Sequence, residues 1–328
     1  MILVRAPLRV SLFGGGSDFK NFYKTSEAAV LSFSFNKYVN IIIKKSYTKN
    51  FVLSYSKKEI CKNISEIKHP IIRETLRYFQ IKEPLEIVSI SDIPGKGSGL
   101  GGSSAFACCI VKATSEYLGK KITNIQVAKL AAYIEISKCK SNIGKQDHYA
   151  SAVGGFNLMK FYSSEKVTIE NIKKSNLQSL LSNFFLVPTN IFRKANVVLK
   201  KQQEKKNIKN RNFQISKLVK IAIKASVDLK KNSSSSSFDF GKELHSAWKI
   251  KKKISQSISN KKINMLYNLG FKMGSTGGKL LGAGGGGFIL FYVPKKNQKV
   301  FGRHFKSASF FKPSLDTSGV KVLYANED

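Results

Sequence analysis

Acidic residues and cysteines are scarce in this chain. Against 56 Lys and Arg stand only 20 Asp and Glu, giving a formal net charge of +36 over 328 residues. The four cysteines, Cys61, Cys108, Cys109 and Cys139, lack metal-ligand spacing, and two are adjacent in what reads as a buried helix. That pattern excludes a thiolate metal site and predicts reduced thiols in a cytosolic protein. No apolar run approaches the roughly 18 residues of a membrane span, and the start does not read as a signal peptide, so neither a span nor export is expected. The four histidines, His69, His148, His245 and His304, form no ligand pattern, and no Ser/His/Asp nucleophile arrangement is visible.

A surplus of positive charge suits nucleic acid or an anionic membrane. Here, however, the lysines are spread over most of the chain among many Asn, Ile and Ser, with no basic stripe. They read as solvated faces filled by a codon bias toward A/T. A general pull on anions such as ATP and sugar phosphates follows all the same. A nucleic-acid-binding protein on an enzyme-like scaffold is the rival reading, and it would show a steep loss of affinity with salt.

What the chain has is glycine in three dense segments. They are Gly14-Gly15-Gly16-Ser17-Asp18 after Arg5 to Phe13, Gly97-Ser98-Gly99-Leu100-Gly101-Gly102-Ser103-Ser104, and Gly277 to Gly287. Glycine lets backbone approach a ligand closely, and exposed N–H groups attract anions. Three such segments predict one phosphate-bearing site built from distant parts of the chain.

Apolar alternation predicts strands at 2–13, 38–45, 51–55, 85–91, near 155–161, 184–188, 288–293 and 319–324. Helices are expected at 103–118, at 124–138 behind a Thr123/Gln126 capping box, at 194–206, 212–231 and 239–274, and near 296–307. Ser233–Ser237 reads as a turn between two helices. This order implies an α+β fold of two lobes, divided as residues 1–175 and 176–328, with the site in the cleft between them.

The central glycine segment follows a strand and opens a helix, which makes it an anion cradle. It matches neither the usual P-loop spacing nor a dinucleotide fingerprint. Ser103 and Ser104 are either helix caps or hydroxyls for Mg²⁺ or a phosphate oxygen. Glu135 lies in the apolar stretch Ala131 to Ile136, where a buried carboxylate needs a partner; the alternative is a helix face showing Glu to solvent. Asp18 reads by itself as an Asx-turn, Asp147 as a turn residue, and Arg9, Lys145 and Arg193 as surface charges.

Residues Pro94 to Ala105, together with Ala6-Pro7-Leu8-Arg9-Val10-Ser11…Asp18 and Gly278 to Gly287, resemble the three motifs of the GHMP kinases, in the same order and across nearly the whole chain. Gly-Gly-Ser-Asp at 15–18 and Ile143 to Ala150 bring it nearest to the subfamily that acts on a heptose 7-phosphate. The resemblance implies a mixed sheet with helices in the N-terminal lobe, a ferredoxin-like C-terminal lobe, and ATP and Mg²⁺ as cofactors. It also implies a small-molecule sugar phosphate as partner, or another sugar such as L-fucose; with the composition, a cytoplasmic protein is expected, with no membrane partner and a nucleic-acid partner disfavoured. Gly97 to Ser104 would cradle ATP, and Ser103 and Glu135 would hold Mg²⁺. Asp147 would be the general base, with Arg9 and Lys145 beside it. Gly15, Gly16, Ser17, Asp18, Arg193, Gly284 and Gly285 would bind the sugar.

Three departures from the usual pattern stand out. Gly102 replaces a Ser, and Pro94 to Gly99 spans one extra residue, bringing Lys96 into the loop. Asn190 stands where a Gly is usual, and Asn tolerates the left-handed backbone that Gly would adopt.

Overall fold

The computed structural model describes residues 1–93, 97–173, 177–191, 208–231 and 238–326. Its frame is a large sheet laid on two long strands. β1 (Ile2–Phe13) is buried without a break from Ala6 to Phe13, as a strand covered on both faces must be. β2 (Ala28–Lys45) starts ten residues before the expected position and serves three neighbours. It runs antiparallel to β1 along most of its length, pairs through 28–33 with β6 (Phe156–Phe161), and pairs through 39–45 with β5 (Leu85–Ser91). β3 (Phe51–Ser54) joins β5 in parallel, β4 (Lys58–Cys61) forms a hairpin with β3, and β7 (Val167–Asn171) extends β6.

Helices cover this sheet. α1 (Lys20–Tyr23) is a single turn, and α2 (Pro70–Tyr78) is capped by His69 with Pro70 at its first position. α3 (Gly102–Tyr117) packs across β1 and β2, with Ala105, Ala107, Cys108 and Cys109 buried against them. Small side chains let that helix lie close to the strands, and all four cysteines are free thiols. α4 (Asn124–Ala132) carries the expected Thr123/Gln126 capping box. Beyond Ala132 the helix widens into a π-helical stretch, Tyr133–Lys138, that contains Glu135. α5 (Gln146–Val153) follows.

In the second half, α6 (Leu177–Leu181) leads to β8 (Phe184–Pro188). β8, β10 (Phe288–Tyr292) and β9 (Gly277–Leu280) form a three-stranded antiparallel sheet, and a single bridge from Phe311 to Leu186 adds to its edge. The helices here are α7 (Ile208–Lys230), α8 (Phe240–Lys252), α9 (Lys261–Lys272) and α10 (Gln298–Phe305). Trp248 of α8 is buried beside Tyr267 of α9, a packing role.

The long helix expected over 239–274 is broken in two. Side-chain oxygens of Ser255 and Asn260 accept from the backbone N–H groups of Ser257 and Ile263. Such local bonds compete with the helical ladder, and here they turn the chain so that Ile258 is buried. The last strand, β11 (Lys321–Ala325), returns to the large sheet and pairs with β1, so a cut at 175/176 parts it from the strand it is bonded to. Asn190 has φ +53°, as its left-handed tolerance predicted. The expected helix 194–206, the Ser233–Ser237 turn, Lys96 and Arg193 lie outside the described residues. Among the described residues no helix is long and apolar enough to cross a membrane.

Candidate active site

All three glycine segments meet at one cleft. In the central segment Gly97, Gly99 and Gly101 have φ of +81°, +75° and +81°, and the loop runs straight into the N-terminus of α3, where backbone N–H groups lack helical partners. The third segment lies against it. Phe288 N–H donates to the Ser98 carbonyl at 3.1 Å. A Cβ on Gly99 would sit 2.7 Å from the Leu281 carbonyl oxygen, and one on Gly282 would sit 2.5 Å from the Gly99 Cα. The first segment is tied in by Arg9 N–H, which donates to the Leu100 carbonyl at 3.0 Å. Side chains at these positions would push the loop apart, so glycine is required by space as well as by φ.

Arg9 joins loop and acid. Its side chain is buried, and its planar fork makes three bonds. Nε and Nη2 donate to Oδ1 and Oδ2 of Asp147 at 2.7 and 2.6 Å, and Nη1 donates to the Gly99 carbonyl at 2.7 Å. Asp147 stands in the first turn of α5 and lines the cleft with the central glycine loop.

Glu135, buried by the π-helical stretch, points at the start of α3. Ser103 Oγ donates to its Oε1, Ser104 Oγ to its Oε2 at 3.1 Å, and His148 Nε2 contacts Oε2 at 2.8 Å. Ser103, Ser104 and Glu135 all line the cleft. Two kinds of hard oxygen donor thus meet beside the anion cradle, a set that fits Mg²⁺. Among the described residues no group of three His, Cys, Asp or Glu could hold a metal by itself, so phosphate and water would complete such a site.

Asp18 is buried, and the chain gives its carboxylate three hydrogen bonds. Oδ1 accepts from Gly16 N–H at 3.1 Å and from Gln146 Nε2 at 2.9 Å, and Oδ2 accepts from Gln146 N–H at 3.1 Å. Ser11 Oγ donates to Gln146 Oε1 at 2.8 Å and completes a Ser11–Gln146–Asp18 relay along one wall. Desolvation, then the nearby Asp147 charge, raises the Asp18 pKa to about 6.

Lys279 is a buried ammonium on the same cleft. Nζ donates to the carbonyls of Ser11 and Leu12 at 3.1 and 2.6 Å. Burial, then the Arg9 charge, lowers its pKa to about 7. Lys251 Nζ, also on the cleft, donates to the carbonyls of Leu280 and Gly282 and so fixes the third segment.

The cleft is therefore lined by Arg9, Gly15, Gly16, Asp18, Gly97, Ser98, Gly99, Gly101, Gly102, Ser103, Ser104, Glu135 and Asp147 of the residues predicted from sequence. Five others do not reach it. Lys145 turns away, its ammonium bonded to Glu165 and lying over the Tyr23 ring, because Glu165 offers a carboxylate while Arg9 already fills Asp147. Ser17 is buried, with Oγ on the Ala29 carbonyl. Gly284 and Gly285 pack on Ile258: a Cβ on Gly284 would lie 2.8 Å from its Cα, and Gly285 N–H donates to its carbonyl. Leu100 is buried behind the loop and contributes its carbonyl to Arg9. Ser11, Gln146, His148, Lys251 and Lys279 were not among the residues predicted from sequence. Lys279 at least sits within a glycine segment, but one lysine among so many carries no signal of its own.

The GHMP kinases N terminal domain family matches residues 53–155. The chain is 31% identical to a D-glycero-alpha-D-manno-heptose 7-phosphate kinase of Campylobacter jejuni, with 98% of each covered. It is 26% identical to a mevalonate kinase of Methanocaldococcus jannaschii, over 91% of this chain and 94% of that one. A crystal structure of a D-glycero-D-manno-heptose 1-phosphate kinase from Bacteroides thetaiotaomicron superposes with a TM-score of 0.79 at 23% identity, all of both chains covered, and shares the fold. A match of that extent to the Campylobacter enzyme, over a cleft where three glycine segments surround Arg9 and Asp147, makes this protein a member of the GHMP kinase family.

Proposed function

We propose that the protein is a cytoplasmic sugar kinase that transfers the γ-phosphoryl group of ATP to the anomeric hydroxyl of a heptose 7-phosphate, giving the 1,7-bisphosphate. The observation that carries this reading is the Arg9 fork, which binds the phosphate loop at Gly99 and the carboxylate of Asp147 at once. It sets the acid beside the cradle where a γ-phosphate would lie. The likeness to the Campylobacter heptose 7-phosphate kinase along the full chain supports the choice of acceptor.

In this mechanism the loop and the N-terminus of α3 bind the ATP phosphates through backbone N–H groups. Ser103 and Glu135 would hold Mg²⁺, which when bound neutralises charge on the phosphate oxygens. Asp147 takes the proton of the acceptor hydroxyl. The freed oxygen bonds to the γ-phosphorus as the bond to the β–γ bridging oxygen breaks, and ADP leaves with those electrons. An anomeric hydroxyl is more acidic than other sugar hydroxyls, which suits a carboxylate base. Asp18, held by Gln146 and Gly16, accepts from sugar hydroxyls, and Lys279 offers an ammonium to anionic oxygens on the cleft floor.

The test is ATP consumption against a panel of free sugars and sugar phosphates, L-fucose included. Turnover with heptose 7-phosphate well above the others supports the reading. Turnover only with a free sugar, or RNA binding without ATP turnover, sinks it.

A further inference from the structure

His148 follows the proposed base directly in sequence, yet its side chain goes elsewhere. Successive residues of a helix point about 100° apart, so the first turn of α5 sends Asp147 to Arg9 and His148 into the core, where it is fully buried. There Nε2 meets Glu135 Oε2 at 2.8 Å. A carboxylate only accepts, so the ring carries its proton on Nε2 and donates it. Nδ1 is buried with no hydrogen-bond partner among the described residues. Among the described residues the ring therefore makes one polar side-chain contact, and that contact is with Glu135.

The two oxygens of Glu135 are held unequally. Oε2 accepts from His148 and from Ser104, whereas among the described residues Oε1 accepts from Ser103 alone. A cation entering between Ser103 and Glu135 displaces one bond at Oε1 and leaves both bonds at Oε2 intact. Without His148 the carboxylate is free to rotate or to chelate through both oxygens.

We propose that His148 is a positioning residue that pins Glu135 Oε2 and so presents Oε1 alone, beside Ser103, to the divalent cation of the nucleotide complex. The inference rests on the metal role proposed for Ser103 and Glu135 and is independent of the sugar. Because His148 and Asp147 share the first turn of α5, the same contact ties Glu135, on its separate π-helical stretch, to the turn that carries the base.

Mn²⁺ is a suitable probe. Its binding to the full-length protein with a non-hydrolysable ATP analogue, and no acceptor, is followed by electron paramagnetic resonance for His148→Gln and His148→Asn. Gln places its amide nitrogen about where Nε2 stood. Asn is similarly polar but one carbon too short. The expected result is Mn²⁺ affinity about 10- to 100-fold weaker in H148N, largely restored in H148Q, with metal-free nucleotide affinity equal in all three proteins. Equal Mn²⁺ affinity in H148N and wild type overturns the inference while leaving the metal site standing. Equal weakening in both variants also overturns it, because burial of any amide then explains the loss. Failure of the wild type to bind Mn²⁺ with the nucleotide removes the metal role itself, and this inference with it.

Discussion

Arg9 holds Asp147 through two parallel hydrogen bonds, at 2.7 and 2.6 Å, while its third donor binds the Gly99 carbonyl at 2.7 Å. One side chain from β1 thus fixes the distance between the phosphate loop and the carboxylate. A lysine keeps the charge but lacks the fork. Arg9→Lys should lower kcat by about 100-fold, since small displacements of reacting groups cost on that order, with a lower melting temperature and little change in ATP KM. Steady-state kinetics with both substrates checks this, and unchanged kcat would remove Arg9 from its positioning role.

Lys279 makes a prediction about pH and stability. Unfolded, a lysine keeps its proton to about its ordinary value of 10.5; folded, this one loses it near pH 7. Between those values the unfolded chain binds the extra proton, so stability rises as pH rises through the window. Lys279→Met should flatten that rise by on the order of 4 kcal/mol between pH 7 and 10. Denaturant unfolding of both proteins across this range is the measurement, and parallel curves would contradict it.

Asp18 titrates at about 6 when folded, against an ordinary 3.8. The folded chain binds the extra proton between these values, so this group's contribution to stability falls as pH rises from about 4 to 6. As a hydroxyl acceptor it works ionised. KM for the sugar should climb as pH falls below 6, while KM for ATP stays level. A flat sugar KM down to pH 5 would exclude Asp18 from acceptor binding.

Gly144 gives an independent handle on the same carboxylate. A Cβ there would stand 1.9 Å from Asp18 Oδ2, whereas one on Gly119 would meet nothing within 4 Å. Gly144→Ala should raise the sugar KM at least tenfold, the effect of roughly 1.4 kcal/mol of lost binding, and Gly119→Ala should leave both KM values alone. Equal kinetics in the two variants would mean that Asp18 moves without consequence.

Much of this cleft is legible in the sequence. Glycine runs after a strand announce an anion cradle, and Glu135 stood out as a carboxylate in an apolar stretch, later matched by Ser103, Ser104 and His148. The helix beginning at Thr123 was marked by its capping box. What stayed hidden depends on partners distant in sequence. Lys145 looked as good as Arg9 beside Asp147, but Glu165 takes it. Gln146 acquires meaning only when Ser11 and Asp18 stand on either side of it. The break near Ser255 and Asn260 was masked by continuous Lys-rich helical sequence. Nothing local in 319–324 says that it returns to β1.

The most direct test of the account is Asp147→Asn, assayed for phosphorylation of heptose 7-phosphate by ATP alongside binding of a non-hydrolysable ATP analogue. Loss of a positioned general base predicts kcat lower by about 10²- to 10⁴-fold, with analogue affinity retained. Turnover at the wild-type rate in the variant would contradict the assignment of Asp147, and with it the mechanism built on the Arg9 fork.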